Sequence, residues 1–313
     1  MSVDNLIKKE YDTYYAQAVF KSENTKKLYK SHHKRITDYI QMPIYQAKPD
    51  ELIDAIYELA ENPNTRNGLL NTAIVFYKVV GKDSGKKFVK AKEKINLDIK
   101  AHKQEIDIEK GETLPTIHEV ETYIKSLFAE EEWRAYIINW LLFHYNLRNL
   151  DLDLEIVKTL HQTKIDKSRN YLVVRRHDMI LVRNKYKTFH KFGHKRHSFR
   201  NICIRRAVKF LLATQPPNQP VYLLSTEKGE RIEEGSIAKY IRARTLNGIS
   251  EGDINKIQVS SITSMSDYTA LLRMSDRRGT SVETLLSEYH IPIQKLFGKT
   301  KKQTFPEVSQ SQH

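Results

Sequence analysis

The chain has 313 residues, 40% hydrophobic and 10% aromatic, and 52 Lys and Arg against 38 Asp and Glu give it a net charge of +14. This composition excludes a disordered chain, and the longest apolar run, Tyr136 to Phe143, is far shorter than the roughly 20 residues that a helix needs to cross a bilayer. A single cysteine, Cys203, excludes a disulfide framework and a cysteine-based zinc site, so the expectation is a soluble protein of an intracellular, reducing compartment, with no membrane partner and no cofactor.

At roughly 100 to 200 residues per domain, the length predicts two domains. The first hundred residues read as helical. Asn24 and Thr25 can cap a helix through Lys30 to Ile40, and Pro49, Asp50 and Glu51 open another that reaches Glu61. After the break at Asn62 to Thr65, the residues Leu69, Leu70, Ile74, Val75 and Tyr77 make the apolar face of a third, and Ser84 and Gly85 precede a basic segment from Lys86 to Lys103. This predicts a small helical domain over 1–108, and the polar stretch around Gly111 predicts a linker over 109–114.

A second domain is predicted over 115–297. Pro115 and Thr116 begin a helix with Val120, Tyr123, Ile124 and Leu127 on one face, and the run from Tyr136 to Tyr145 is apolar nearly all round, as in a buried helix. From Asn170 the pattern changes. Tyr171 to Val174, Met179 to Val182 and Phe199 to Ile204 read as strands of a small antiparallel sheet, followed by helices after Arg205 and a further helix from Ser236 to Arg244. The fold class is therefore mainly α with a small antiparallel β-sheet (α+β), and 298–313 is a polar tail.

Charge is concentrated rather than spread. Between Lys164 and Lys209 fifteen Lys and Arg face only Asp166 and Asp178, which is +13 of the net +14. A single-sign block inside a structured segment suits a polyanion, and double-stranded DNA is the expected partner, with Arg175, Arg176, Arg183, Lys185, Lys191, Lys195, Arg196 and Arg200 as its contacts. His190, His194, His197 and Cys203 have metal-ligand chemistry, but the surrounding cations repel a divalent ion, so no metal is expected. Arg148 stands at the end of a buried apolar helix, where a charge needs an anion; that anion is either a ligand or one of its own neighbours Asp151 and Asp153.

Three segments carry a resemblance. LLFHYNLRNLDLDLEI, around Arg148, resembles the first arginine box of the tyrosine recombinases of the phage-integrase class. NKYKTFHKFGHK resembles the hairpin that presents that family's catalytic lysine, matched here by Lys187. RRGTSVETLLSEY resembles its last box, in which the nucleophilic tyrosine follows the glycine by ten residues, as Tyr289 follows Gly279. The resemblance covers about 115 to 290 in the family's order, and implies that 1–108 is a DNA-binding, core-binding-like domain before a recombinase-like catalytic domain. It also implies attack of Tyr289 on a DNA phosphodiester, stabilised by Arg148, with Lys187 protonating the leaving oxygen.

The sequence departs from the family pattern at its second box, where Ser260 and Thr263 stand in place of a His or Lys and an Arg, and in the last box, where Thr280 replaces a His. Arg277 and Arg278, beside Gly279, are the candidates for a replacement phosphate clamp. The resulting expectation is a degenerate member: a DNA-binding protein, homo-oligomeric on DNA, with impaired or lost strand cleavage. The alternatives are an active recombinase with a rearranged clamp and a non-enzymatic DNA-packaging or architectural protein.

Overall fold

The computed structural model describes residues 2–17, 23–79, 81–82, 85–158, 166–214, 219–262 and 268–291. Thr263, Lys164 and the tail 298–313 lie outside them. The chain divides into two compact units, Met1–Asp107 and Ile108–His313.

The first unit contains the helices α1 (Val3–Gln17), α2 (Glu23–Ile40), α3 (Pro49–Leu59), α4 (Pro63–Val79) and the start of α5 (Gly85–Thr113). Pro49 occupies the first turn of α3, where its missing N–H costs nothing. Ile36, Leu52, Ile56, Leu69, Leu70, Phe76, Phe88 and Ile95 form the core of this unit. Helix α1, which the polar opening of the sequence concealed, is tied down by the buried carboxylate of Glu10. That group accepts hydrogen bonds from the backbone N–H groups of Ile44 at 3.0 Å and Tyr45 at 2.9 Å and lies 2.9 Å from His33 Nε2.

The segment expected to be a linker is helical instead, since α5 runs to Thr113. Its residues are mostly good helix formers, and one helical glycine costs only about 1 kcal/mol relative to alanine. Gly111 is in fact buried within this helix.

The second unit is mostly helical with a small mixed sheet. Its helices are the end of α5, then α6 (Ile117–Ala129), α7 (Trp133–Tyr145), the single turn α8 (Phe189–Phe192), α9 (Ile202–Ala213), α10 (Ile237–Arg242), α11 (Glu251–Ser260), α12 (Tyr268–Arg278) and α13 (Val282–Tyr289). The helix expected to begin at Pro115 and Thr116 is capped by Thr116: its Oγ1 accepts from Glu119 N–H while Glu119 Oε2 accepts from Thr116 N–H at 2.7 Å. Helix α7 is buried on nearly every side and forms the centre of a core that also takes in one face of the sheet.

The strands are β1 (Leu154–Val157), β2 (Asn170–Val174), β3 (Met179–Arg183), β4 (Lys195–Phe199) and β5 (Val221–Tyr222), in the order β4-β3-β2-β1-β5. Among β2, β3 and β4, which lie at or beside the three segments expected to be strands, pairing is antiparallel as expected; β5 joins β1 antiparallel, and the parallel pairing of β1 with β2 makes the whole sheet a mixed one. The third expected strand is displaced. The strand is the alternating Lys195–Phe199, and Asn201 then caps α9, its side chain accepting from Ile204 N–H at 3.0 Å. Ile204, Ala207, Val208 and Leu211 recur at helical spacing and are buried, so the apolar run at 202–204 begins a helix.

The register of β3 with β4 fixes two ends of the sheet. Arg183 pairs with Lys195 at one end and Met179 with Phe199 at the other, about 13 Å apart at roughly 3.3 Å per residue.

Candidate functional site

At the Arg183–Lys195 end of the sheet, the chain brings together the three segments singled out in the sequence. Helix α7 stops at Asn146, whose left-handed φ of 50° turns the chain so that Arg148 leaves the buried core half-exposed. Arg148 Nη1 donates to the backbone carbonyl of Arg278 at 2.8 Å. Neither candidate acidic neighbour pairs with the guanidinium of Arg148: Asp151 is bound to Arg183 and Asp153 to Arg231. Burial, and then the nearby charge of Arg278, push the Arg148 pKa below the usual arginine range, which is the electrostatic signature of a site that would gain from an anion.

Arg278 is the last residue of α12 and is 2% exposed. Its Nη2 donates to the hydroxyl of Tyr289 at 2.7 Å and to Glu251 Oε1 at 3.0 Å, and its Nη1 donates to the carbonyl of Asn146 at 3.2 Å. The guanidinium also sits 4.8 Å from the centre of the Tyr289 ring. Arg278 thus joins the arginine-bearing turn to the tyrosine. Arg277, its neighbour, is directed elsewhere: it donates to the carbonyl of His144 at 2.6 Å and packs over the Tyr145 ring.

Helix α12 ends at Gly279, which has a φ of +66° and whose N–H and that of Thr280 both bond to the Ser275 carbonyl. A Cβ at Gly279 would come within 3.2 Å of Thr188 Oγ1 and Tyr186 Cε2, and Thr188 Oγ1 donates to the Gly279 carbonyl at 2.8 Å. These contacts anchor the turn that carries Lys187, whose own side chain is exposed. Lys187 therefore comes to the site through its neighbours.

Of the replaced positions, Ser260 acts through its side chain and Thr280 through its backbone. Ser260 closes α11 rather than opening a helix, and its buried Oγ accepts from Ile291 N–H at 2.8 Å, so it braces the chain just after Tyr289. Thr280 offers its carbonyl to Ser275 Oγ at 2.6 Å. The start of α11 supplies a group that the sequence did not reveal: the carboxylate of Glu251, which holds Arg278 and also accepts from Asn149 N–H.

Beneath the site lies Arg183, completely buried. It was expected to contact DNA, and this is corrected: Arg183 pairs with the equally buried Asp151 at 3.2 Å, donates to the carbonyl of Arg277, lies 3.3 Å from His197 Nε2 and stacks over Tyr186. Strand β3 carries it into the interior, where a charge persists only when compensated. Burial raises the Asp151 pKa, an effect opposed by Arg183 and by the hydrogen bond from Arg148 N–H. Burial and then Arg183 hold His197 down to about 4, so this ring is neutral and accepts the arginine's hydrogen.

The basic block is not one surface. Lys185, Lys187, Lys191 and Arg196 are exposed towards the Arg183–Lys195 end, whereas Arg175, Arg176 and Arg200 are exposed around the Met179–Phe199 end. Lys195 is mostly covered and pairs with Asp276 at 2.7 Å, Lys185 pairs with Glu234 at 3.2 Å, and Arg175 is held by Asp178. Among the described residues, no three His, Cys, Asp or Glu side chains gather as metal ligands, and no helix is long and apolar enough to cross a membrane.

No family model matches the chain, and no curated protein matches it. Among solved structures, the chain has a distant likeness to a crystal structure of XerA recombinase, with 13% identity, a TM-score of 0.37 and coverage of 95% of this chain and 100% of that one.

Proposed function

We propose that this protein binds duplex DNA and holds a backbone phosphate between Arg148 and Arg278, beside Tyr289, with strand cleavage much weaker than the resemblance to tyrosine recombinases implies. The observation that carries this reading is the 2.7 Å hydrogen bond from Arg278 to the Tyr289 hydroxyl, with the Arg148 guanidinium on the carbonyl of the same arginine. Two planar, positively charged donors suit the non-bridging oxygens of a phosphodiester, and the exposed Lys185, Lys191 and Arg196 add contacts to neighbouring phosphates. Cleavage is reduced because Glu251 already occupies one face of Arg278, and because hydroxyls stand at Ser260, Thr263 and Thr280. Each lost charged donor to a developing oxyanion costs about 10² to 10³ in rate.

A second reading, an active recombinase in which Arg278 supplies the missing arginine, is favoured by that same hydrogen bond. Incubation with nicked suicide duplexes separates the two. The first reading expects salt-dependent binding with little covalent adduct; an adduct that forms readily and is lost in Tyr289→Phe replaces it with the second. Duplex affinity that is absent at low salt overturns both.

A further inference from the structure

Helix α9 has a second face that neither its core packing nor the phosphate site uses. Ile202, Arg205, Arg206, Lys209, Phe210 and Ala213 line an open cavity of about 440 Å³. Their spacing of i, i+3, i+4, i+7, i+8 and i+11 makes one continuous stripe, opposite the buried Ile204, Ala207, Val208 and Leu211. The stripe is about 16 Å long at 1.5 Å per residue, or three helical turns.

Its composition is unusual for a solvated face. Ile202 is 75% exposed and Phe210 40% exposed, although exposed residues of this size in a shared groove mark interaction sites more often than isolated ones do. Phe210 stacks flat on Trp133, with centroids 4.8 Å apart and planes 2° from parallel. The guanidinium of Arg206 lies 5.7 to 5.8 Å from the rings of Phe128, Trp133 and Phe210. The aromatic wall holds that cation in place and leaves N–H groups for an acceptor. Among the described residues, Arg205, Arg206 and Lys209 have no ion-pair partner.

We propose that this face docks an acidic amphipathic helix of a partner protein. Three cations with no acidic partner among the described residues, of which Arg205 donates to the Arg176 carbonyl at 2.7 Å, favour an acidic partner and repel a basic one. Ile202 at one end of the stripe and Phe210 and Ala213 towards the other match anchors at i, i+3 or i+4, and i+7 of a helix lying in a groove, and Trp133, Phe210 and Arg206 are of the types that dominate such contacts. A phosphate backbone would satisfy the cations but would leave Ile202 and Phe210 against water. The face shares no residue with the phosphate site, so it stands or falls separately from the DNA reading.

The test uses the full chain and a fluorescein-labelled peptide of about 16 residues, helical, with Leu and Phe along one face and Glu on its flanks. Two controls are a peptide of the same composition with its apolar residues scattered round the helix, and a polyglutamate of equal charge. Fluorescence anisotropy should show saturable binding of the patterned peptide alone, weakened about tenfold or more, or 1.4 kcal/mol, by Ile202→Ser, Phe210→Ala or Arg206→Glu. Thermal melts confirm that each variant is folded. Absence of saturable binding, equal binding of the controls, or indifference to Ile202→Ser overturns the proposal. A duplex of roughly 30 bp that displaces the peptide, with its own affinity falling equally in Ile202→Ser, makes the face a nucleic-acid surface and likewise overturns it.

Discussion

Arg278 and Tyr289 stand eleven positions apart and on two different helices, yet their side chains meet at 2.7 Å. Glu251 holds the same guanidinium at 3.0 Å, so any phosphate that enters must compete with a carboxylate for Arg278. Glu251→Gln keeps the shape and removes that competition. Duplex binding at low salt should tighten several-fold in Glu251→Gln and weaken in Arg278→Lys, which loses the planar fork. Weaker binding in Glu251→Gln would make the carboxylate a support for the arginine rather than its competitor.

Gly279 and Gly81 both close a helix in the same way. Lys82 N–H bonds to the Tyr77 carbonyl as Thr280 N–H bonds to that of Ser275, and the φ angles are +73° and +66°. They differ in surroundings: a Cβ meets nothing within 4 Å at Gly81, but meets Thr188 and Tyr186 at 3.2 Å at Gly279. Gly81→Ala should therefore cost about 1 kcal/mol from backbone strain alone. Gly279→Ala should cost more in urea denaturation and should also displace the Lys187 turn. Equal losses would mean that the hairpin yields without resistance.

Arg183 and Asp151 form a fully buried pair at 3.2 Å. Removing one partner strands the other, so Arg183→Ala should destabilise the fold by about 3 to 5 kcal/mol, whereas Arg183→Met with Asp151→Leu should recover much of that loss. The salt slope of DNA binding, about 0.9 per neutralised phosphate, should be unchanged in any folded Arg183 variant and reduced in Lys191→Ala or Arg196→Ala. A slope reduced by loss of Arg183 would return this residue to the DNA surface.

The features that could be read from the sequence are local ones. The helix start at Thr116, the proline opening α3 and the apolar all-round pattern of α7 each depend on residues within a turn or two. The parallel pairing of β1 with β2 depends on partners that sequence periodicity does not identify. Arg183 could not be placed either: in a run of cations it looks like another exposed one, and only its pairing with Asp151, 32 positions earlier, and with the Arg277 carbonyl, 94 positions later, shows it to be interior. The strand assigned to 199–204 failed because an apolar run of that length suits a strand or a helix start, and the deciding signal was the asparagine at 201. At the site, the interval from Gly279 to Tyr289 was legible and Arg148, Arg277 and Arg278 stood out as candidates, but the sequence left open whether Arg148 pairs with Asp151 or Asp153 and did not separate Arg278 from Arg277. Glu251 was not legible, because nothing local distinguishes it from any acid in a first helical turn.

The neutral His197 gives the site a dependence on pH. Its pKa is held down to about 4, against about 6.5 for a free histidine. Between these values the unfolded chain binds a proton that the folded chain excludes, so stability falls as pH drops from 6.5 towards 4 and is fully regained above 6.5. The cause is local: a protonated ring could no longer accept from Arg183 Nη2, 3.3 Å away, and would add a second cation there. Asp151 works in the opposite sense, because its raised pKa favours proton uptake by the folded chain, but it is common to the wild type and to His197→Asn. Asp276, held low chiefly by its hydrogen bond from Lys195, releases its stabilisation only below the ordinary carboxylate range. Thermal melts from pH 7 to pH 5 should therefore show a larger loss for the wild type than for His197→Asn, which keeps a neutral acceptor at every pH. Parallel losses in the two proteins would mean that His197 is protonated in the folded state, and that Arg183 is not held by this ring.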